Sequence, residues 1–158
     1  MEQTYFVYNT PLGRITLAQS DGALTHMAFG IERFSGEEKA VAVTNQAATE
    51  LVQYLAGKRQ AFDIPLAPAG TDFQKLVWGA LRDIPYGQTR TYAELAQAIG
   101  KPTAARAVGG ANNKNPLPIF IPCHRVVGAH GDLVGYAYGL PIKKFLLDLE
   151  SNTSNNQA

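Results

Sequence analysis

A single cysteine, Cys123, in a chain of 158 residues excludes an internal disulfide and any zinc site built on a cysteine cluster. Three histidines, His26, His124 and His130, lie too far apart in the chain to suggest a metal centre, so none is expected. The opening MEQTYFVYNT lacks the basic start and apolar core of a secretory signal, and no run approaches the roughly 18 apolar residues of a membrane span. Neither export nor membrane insertion is therefore expected, and a reducing, cytoplasmic compartment is. Internal repeats are also missing. The only low-complexity stretch is the polar tail SNTSNNQA, residues 151–158, expected to be flexible.

What is present is ordinary in bulk and uneven in distribution. The hydrophobic fraction of 46% and charged fraction of 17% are those of a globular protein. The net charge of +1 conceals five basic against seven acidic residues in 1–71 and nine against six in 72–158. Between Tyr86 and Val126 five basic residues face one acidic residue, Glu94. Such a face is compatible with a polyanion and equally with an ordinary solvated surface.

The first thirty residues alternate apolar and polar, with turn signals at Pro-Leu-Gly and Asp-Gly, which predicts consecutive hairpin strands. Asn45 to Leu55 has helical spacing, and AFDIPLA after it reads as a short strand. From Thr71 the texture becomes helical: TDFQKLVWGALRDI with Thr71 or Asp72 as N-cap, then TYAELAQAIG with Thr91 and Glu94 forming a capping box and Gly100 as the stop. AARAVGGANN predicts a further helix capped by Thr103, and PIKKFLLDLE a last one with Pro141 in its first turn. The expected fold class is α+β: a small N-terminal antiparallel sheet with a helix over 1–70, then a mainly helical domain with a helix-turn-helix over 71–150.

Two features carry the chemistry, and each has a plain structural reading beside the functional one. The two short helices are either a simple helical corner or a nucleic-acid reader. Gly109 and Gly110 inside the second helix each destabilise it by roughly 1 kcal/mol relative to alanine. With Ala104, Ala105, Ala107 and Ala111 they leave one face almost bare except for Arg106, a shape suited to close approach with little sequence reading. Cys123 is either an inert buried thiol or a nucleophile. Pro116, Pro118 and Pro122 stiffen its approach, and His124 stands beside it as the partner that thiolate formation needs. Adjacent side chains diverge in extended chain, so a bridging water is the better route between them, and Glu150 is a candidate to orient the imidazole. His26 reads as a strand spacer, His130 as a solvent-facing loop residue, and Met27 and Trp78 as core.

The segments VWGALRDIPYGQTRTYAELA, RAVGGANNKNPLPIFIPCHRVV and GYAYGLPIKKFLLDLE together resemble the O6-alkylguanine-DNA alkyltransferases, also called methylated-DNA-protein-cysteine methyltransferases. The resemblance runs from about Phe73 to Glu150, and residues 1–70 match in layout only. It implies that Cys123 takes an alkyl group from O6 of guanine, or less well from O4 of thymine, in double-stranded DNA. It further implies that His124 acts as base through a water, Glu150 holds His124, Asn115 braces the turn before the active segment, and Tyr92 helps rotate the nucleotide and protonates the leaving guanine. Arg106 would fill the vacated space, with Ala105, Ala107 and Gly109 against the minor groove. Pro118, Val126, Tyr136, Ala137 and Tyr138 would form the pocket of the flipped base. No cofactor is implied, and a monomer is expected.

Three departures stand out. Tyr138 occupies a position that is small in some members, which predicts a narrower pocket that disfavours benzyl-sized adducts. Residues 1–70 have no cysteine, so the N-terminal zinc of some relatives cannot be built the same way. No additional regulatory domain is expected. The rival readings are a non-enzymatic binder of alkylated DNA, against which the retained Cys123 argues, and a cysteine hydrolase, which would turn over.

Overall fold

The computed structural model describes residues 3–156. Its contacts divide the chain at Ala69/Gly70 into two units.

In the first unit, β1 (Gln3–Thr10), β2 (Gly13–Ser20) and β3 (Ala23–Phe29) form an antiparallel meander. Asp21 and Gly22, with φ of 54° and 83°, make the tight turn between β2 and β3. Left-handed backbone at both central residues matches the twist of the strands, which is why Asp-Gly is read as a hairpin signal. A two-residue strand, β4 (Glu37–Glu38), which the sequence reading did not anticipate, adds in parallel to β1 and gives the order β3-β2-β1-β4. Helix α1 (Ala42–Leu55) buries Thr44, Ala47, Ala48, Leu51, Tyr54 and Leu55, one face at helical spacing, above a sheet core of Ile15, Leu17, Leu24 and Met27. It begins three residues before the predicted Asn45, because the Thr44 hydroxyl turns back to accept from the Val41 N–H at 3.1 Å. The predicted strand AFDIPLA is reduced to one bridge, Leu24 with Leu66; Pro65 and Pro68 cannot donate to a ladder.

The second unit starts with α2 (Asp72–Arg82), capped reciprocally by Thr71 and Gln74. Strand β5 (Arg90–Thr91) leads directly into α3 (Tyr92–Ala98), where Thr91 and Glu94 form the predicted capping box and Gly100 turns the chain at φ 75°. Helix α4 (Ala105–Asn113) follows, completing the helix-turn-helix. Its N-cap is Ala104 with no side-chain bond, rather than Thr103: the Lys101–Ala104 turn places Thr103 one residue too early to reach the first N–H groups. The Trp78 indole donates to the Ala111 carbonyl at 2.9 Å and fixes α4 against α2.

Strand β6 (Val126–Val127) pairs in parallel with β5, Arg90 opposite Val126 and Thr91 opposite Val127. That pairing sets the start of α3 beside the chain leaving Cys123. Helix α5 (Leu140–Asn156) closes the unit. It runs through the first six residues of the tail expected to be flexible; Thr153 stays helical by donating its hydroxyl to the Leu149 carbonyl at 2.7 Å. Residues 157 and 158 lie outside the described residues. No helix among the described residues is long and apolar enough to cross a membrane.

Candidate active site

The chain between α4 and Cys123 is held in a strained loop braced by side-chain hydrogen bonds. Ile119 has φ 74°, a left-handed conformation that costs a β-branched residue on the order of 1–3 kcal/mol. Asn115 supports it from inside: its Oδ1 accepts from Leu117 N–H at 2.9 Å and its Nδ2 donates to the Ile121 carbonyl at 2.8 Å. Leu117, Ile119, Phe120 and Ile121 are all buried. Cys123–Arg125 then forms one 3-10 turn rather than the extended chain assumed from sequence. Successive side chains on such a turn are separated by about 120°. His124 and Arg125 are thereby sent towards α5, while the thiol is left facing Asn115 and Tyr136.

On the α5 side the two side chains meet Glu150. His124 Nε2 lies 2.8 Å from Glu150 Oε2, and Arg125 donates from Nε to Oε1 and from its second terminal nitrogen to Oε2, both at 2.8 Å. The remaining Arg125 nitrogen donates to the Ile84 carbonyl at 2.7 Å, and the guanidinium lies 5.6 Å above the Tyr86 ring. Burial alone pushes the Glu150 carboxyl up, but the His124 and Arg125 hydrogen bonds outweigh it and bring it down to about 2. Burial pushes His124 below the ordinary histidine value, opposed by Glu150. The resting group is thus a neutral imidazole on an ionised carboxylate.

Cys123 is 2% exposed, and burial pushes its thiol up to about 11. Hydrogen bonding to the Asn115 side chain, its own backbone, the charge of Lys143 and the Tyr136 hydroxyl offset part of that rise. Tyr92, the first residue of α3, approaches from the other side; burial and the neighbouring Cys123 raise its hydroxyl. Its ring passes beside Gly109, where an added Cβ would lie 3.6 Å away, and its hydroxyl donates to the Val134 carbonyl at 3.4 Å. Tyr136 packs edge-on against Tyr138 at 5.4 Å, and the Tyr138 hydroxyl donates to the Asn115 carbonyl at 3.0 Å.

The structure therefore brings Cys123, Asn115, Tyr92, Tyr136 and Tyr138 together around the thiol, with His124 and Glu150 behind. Pro118 and Val126 are buried; Ala137 is exposed on the loop before α5. On α4, Arg106 and Ala107 are exposed, Ala105 is half-buried, and Gly109 faces Tyr92 rather than open solvent. The face read as almost bare except for Arg106 is divided: Ala111 and Asn112 point inward, and Asn112 Nδ2 donates to the Cys123 carbonyl at 3.4 Å. His130 is exposed in its turn, and His26 is half-buried against Phe34. No group of three or more metal-ligating side chains occurs among the described residues.

Residues 72–152 match the family model for the 6-O-methylguanine DNA methyltransferase DNA-binding domain, and residues 4–68 match that for the ribonuclease-like domain of the same family. The chain is 52% identical over 153 residues to the methylated-DNA–protein-cysteine methyltransferase of Methanosarcina barkeri, covering 94% of this chain and 97% of the relative. Identity to the constitutive enzyme of that name in Bacillus subtilis is 43% over 155 residues, with 92% and 94% covered. The chain belongs to the 6-O-methylguanine-DNA methyltransferase family. Its backbone superposes on the crystal structure of Mycobacterium tuberculosis OGT in complex with DNA with a TM-score of 0.88 at 43% identity, covering 95% and 94% of the two chains.

Two residues of this methyltransferase site were not singled out from sequence. Arg125 was counted only among the five basic residues between Tyr86 and Val126, although it makes two of the close bonds to Glu150. Lys143 was read only as part of the helix PIKKFLLDLE, although it shares the buried face of α5 with Leu146 and Glu150. The signal was available: positions 143, 146 and 150 repeat at helical spacing, so two charges sit where the pattern demands apolar residues.

Glu150 makes acid stability a test of this geometry. Its folded-state value lies below the ordinary carboxylate value of about 4.3, so the unfolded chain takes the proton first as pH falls. The stabilisation is complete above that value and disappears as pH drops towards 2. His124 acts in the same direction from about pH 6.5 downward, because the unfolded chain protonates its histidine first. Glu150→Gln is expected to lower the unfolding free energy at pH 7 by about 3 kcal/mol, leaving Arg125 buried without its anion, and to shrink the acid limb below pH 4.5. Urea denaturation from pH 2.5 to 8 reads both; an unchanged acid limb would place the linkage elsewhere.

Proposed function

We propose that Cys123 is the residue that accepts the alkyl group, with His124, Glu150, Asn115 and Tyr92 serving the transfer. The protein is a methylated-DNA–protein-cysteine methyltransferase, a DNA-repair protein that moves an alkyl group from damaged DNA onto its own cysteine. With one cysteine in the chain, the acceptor has one candidate. The observation that carries the reading is the placement of that thiol: closed in by the Asn115 loop and adjacent to an imidazole already fixed by Glu150.

A thiol at about 11 holds on the order of one part in ten thousand thiolate at pH 7, so the nucleophile has to be made where it reacts. His124 takes the thiol proton through a water, and Glu150 stabilises the imidazolium that forms. The sulfur attacks the alkyl carbon, the S–C bond forms as the C–O6 bond breaks, and the electron pair passes to the guanine. Tyr92 gives that guanine its proton and recovers one from solvent. The electron count closes without a cofactor, and no oxyanion hole is needed because no tetrahedral intermediate forms. A thioether does not hydrolyse and the chain has no second thiol, so each molecule reacts once.

The base reaches a buried sulfur only by leaving the duplex, at a cost of a few kcal/mol. Arg106, exposed on α4, fills the space it leaves. Ala105, Ala107 and the exposed Gly110 let α4 approach the minor groove closely. Pro118, Val126, Tyr136, Ala137 and Tyr138 enclose the turned-out base. O4-alkylthymine is the poorer substrate, and the protein works as a monomer in the cytoplasm.

Purified protein mixed with methylated duplex should gain one methyl, on the peptide containing Cys123, and stop at one equivalent; Cys123→Ala should gain none. Continued loss of methyl from DNA without a stable adduct would refute the single-use reading. Arg106→Ala is expected to slow repair of duplex by tenfold or more while changing attack on free O6-methylguanine by less than about twofold, in line with a few kcal/mol assigned to flipping. Equal losses on both substrates would remove the space-filling role. Tyr138→Gly removes the ring that leans on Tyr136 and should raise the rate with benzylguanine; matching rates for variant and wild type would mean Tyr138 does not limit pocket width.

A further inference from the structure

Lys143 is a fully buried cation for which the transfer described above has no use. It stands in the first turn of α5, where the aligned peptide dipoles already present positive charge and no acidic side chain compensates. Among the described residues it pairs with no carboxylate: Glu150, the buried carboxylate on the same helix, is engaged by His124 and Arg125. Its ammonium donates instead to the carbonyls of Val126, Val134 and Gly135, the last two at 2.8 and 3.3 Å. Val126 follows the cysteine turn directly, and Val134 and Gly135 belong to the loop that carries Tyr136 and Tyr138. Packing alone does not call for this arrangement, since an apolar residue of similar volume in place of a buried charge is often neutral or stabilising.

We propose that Lys143 is a positioning residue of the transfer, pinning the tyrosine loop to the cysteine turn and supplying the positive charge that offsets the thiolate as Cys123 ionises. The local charges favour this assignment. Arg125 and Glu150 cancel, His124 is neutral at rest, and the other titratable groups facing the thiol are the hydroxyls of Tyr92 and Tyr136, both uncharged at neutral pH. Lys143 is then the unbalanced charge at the site. Burial lowers its own affinity for a proton and the Cys123 thiolate raises it, while Lys143 in turn favours the thiolate, as a mutually stabilising pair requires. The Lys143 ammonium also lies 6.0 Å from the centre of the Tyr136 ring, which neighbours the thiol.

The inference rests on Cys123 being the acceptor, and its test is separate from that reading because it needs no DNA. Iodoacetamide is a small neutral electrophile: thiolate sulfur displaces iodide, one S–C bond forms as the C–I bond breaks, and the thiol proton goes to buffer. With one cysteine in the chain, intact mass reports Cys123 alone. At pH 8 Lys143→Gln, which keeps amide donors for the carbonyls, and Lys143→Met, which keeps none, should both react about tenfold or more slowly than wild type, one pKa unit or more. Both should lose methyl transfer from duplex by a similar factor. A brace without an electrostatic role predicts the opposite sign in Lys143→Met, because a loosened loop hydrates the thiol and speeds its alkylation; that result, or a wild-type rate in Lys143→Gln, overturns the proposal. Should the neutral variants fail to fold, Lys143→Arg keeps the charge and is expected within about threefold of wild type, a tenfold loss counting against it. If instead wild type gains no methyl from methylated duplex, it is the assignment of Cys123 that fails.

Discussion

Glu150 is the anion on which the cysteine turn is anchored. One carboxylate at the buried face of α5 accepts from His124 and Arg125, which are adjacent residues of the cysteine turn, and faces the Gly87 amide at 3.4 Å. Arg125 extends the arrangement to the Ile84 carbonyl just beyond α2. The C-terminal helix, the cysteine turn and the loop before β5 are thus joined through two oxygen atoms. A lone carboxylate buried here would protonate and lose its hold; a lone guanidinium would not stay buried. The pair is stable because each satisfies the other, and the imidazole takes a defined orientation as a consequence.

The thiol is built on the opposite principle, since its surroundings oppose ionisation at rest. Burial dominates, and Asn115, Tyr136 and Lys143 reduce its effect without cancelling it. A preformed thiolate would react with any oxidant or electrophile that reached it, and a protein that reacts once would be consumed by such accidents. In the proposed mechanism a protonated thiol, with His124 as its base, reacts when a substrate fills the pocket. The strained Ile119 and the Asn115 bonds keep that pocket shape in the resting state, so no large rearrangement has to precede attack.

Much of this was legible in the sequence where local chemistry decides structure. Asp-Gly dictated a hairpin turn, Thr71 and Thr91 announced helix starts, and the proline-rich run before Cys123 signalled a stiff loop. Other local details were missed, and so was the effect of distant partners. The helix α1 starts early because Thr44 folds back on Val41, AFDIPLA is broken by Pro65, and the tail continues as helix although Ser, Asn and Thr are weak helix formers. The His124–Glu150 contact joins residues 26 apart, and nothing in composition or spacing measures such a distance. Arg125 and Lys143 were overlooked for a related reason: an isolated cation reads as surface until the helical face beneath it is traced.

The small residues of α4 show how the structure separates internal from external requirements. Ala111 is small because Trp78 and the helix behind it need the room, and its carbonyl accepts the indole N–H. Gly109 faces the Tyr92 ring, but an added methyl there would sit at ordinary contact distance, so packing permits alanine. At Gly110 an added Cβ would meet nothing. A glycine in an exposed helix interior costs roughly 1 kcal/mol against alanine, and no contact within the protein offsets it. Nothing among the described residues requires glycine there. The proposed approach of α4 to DNA, with Arg106 projecting from the same helix, would account for it, since a backbone free of side chains is what close approach to a groove demands.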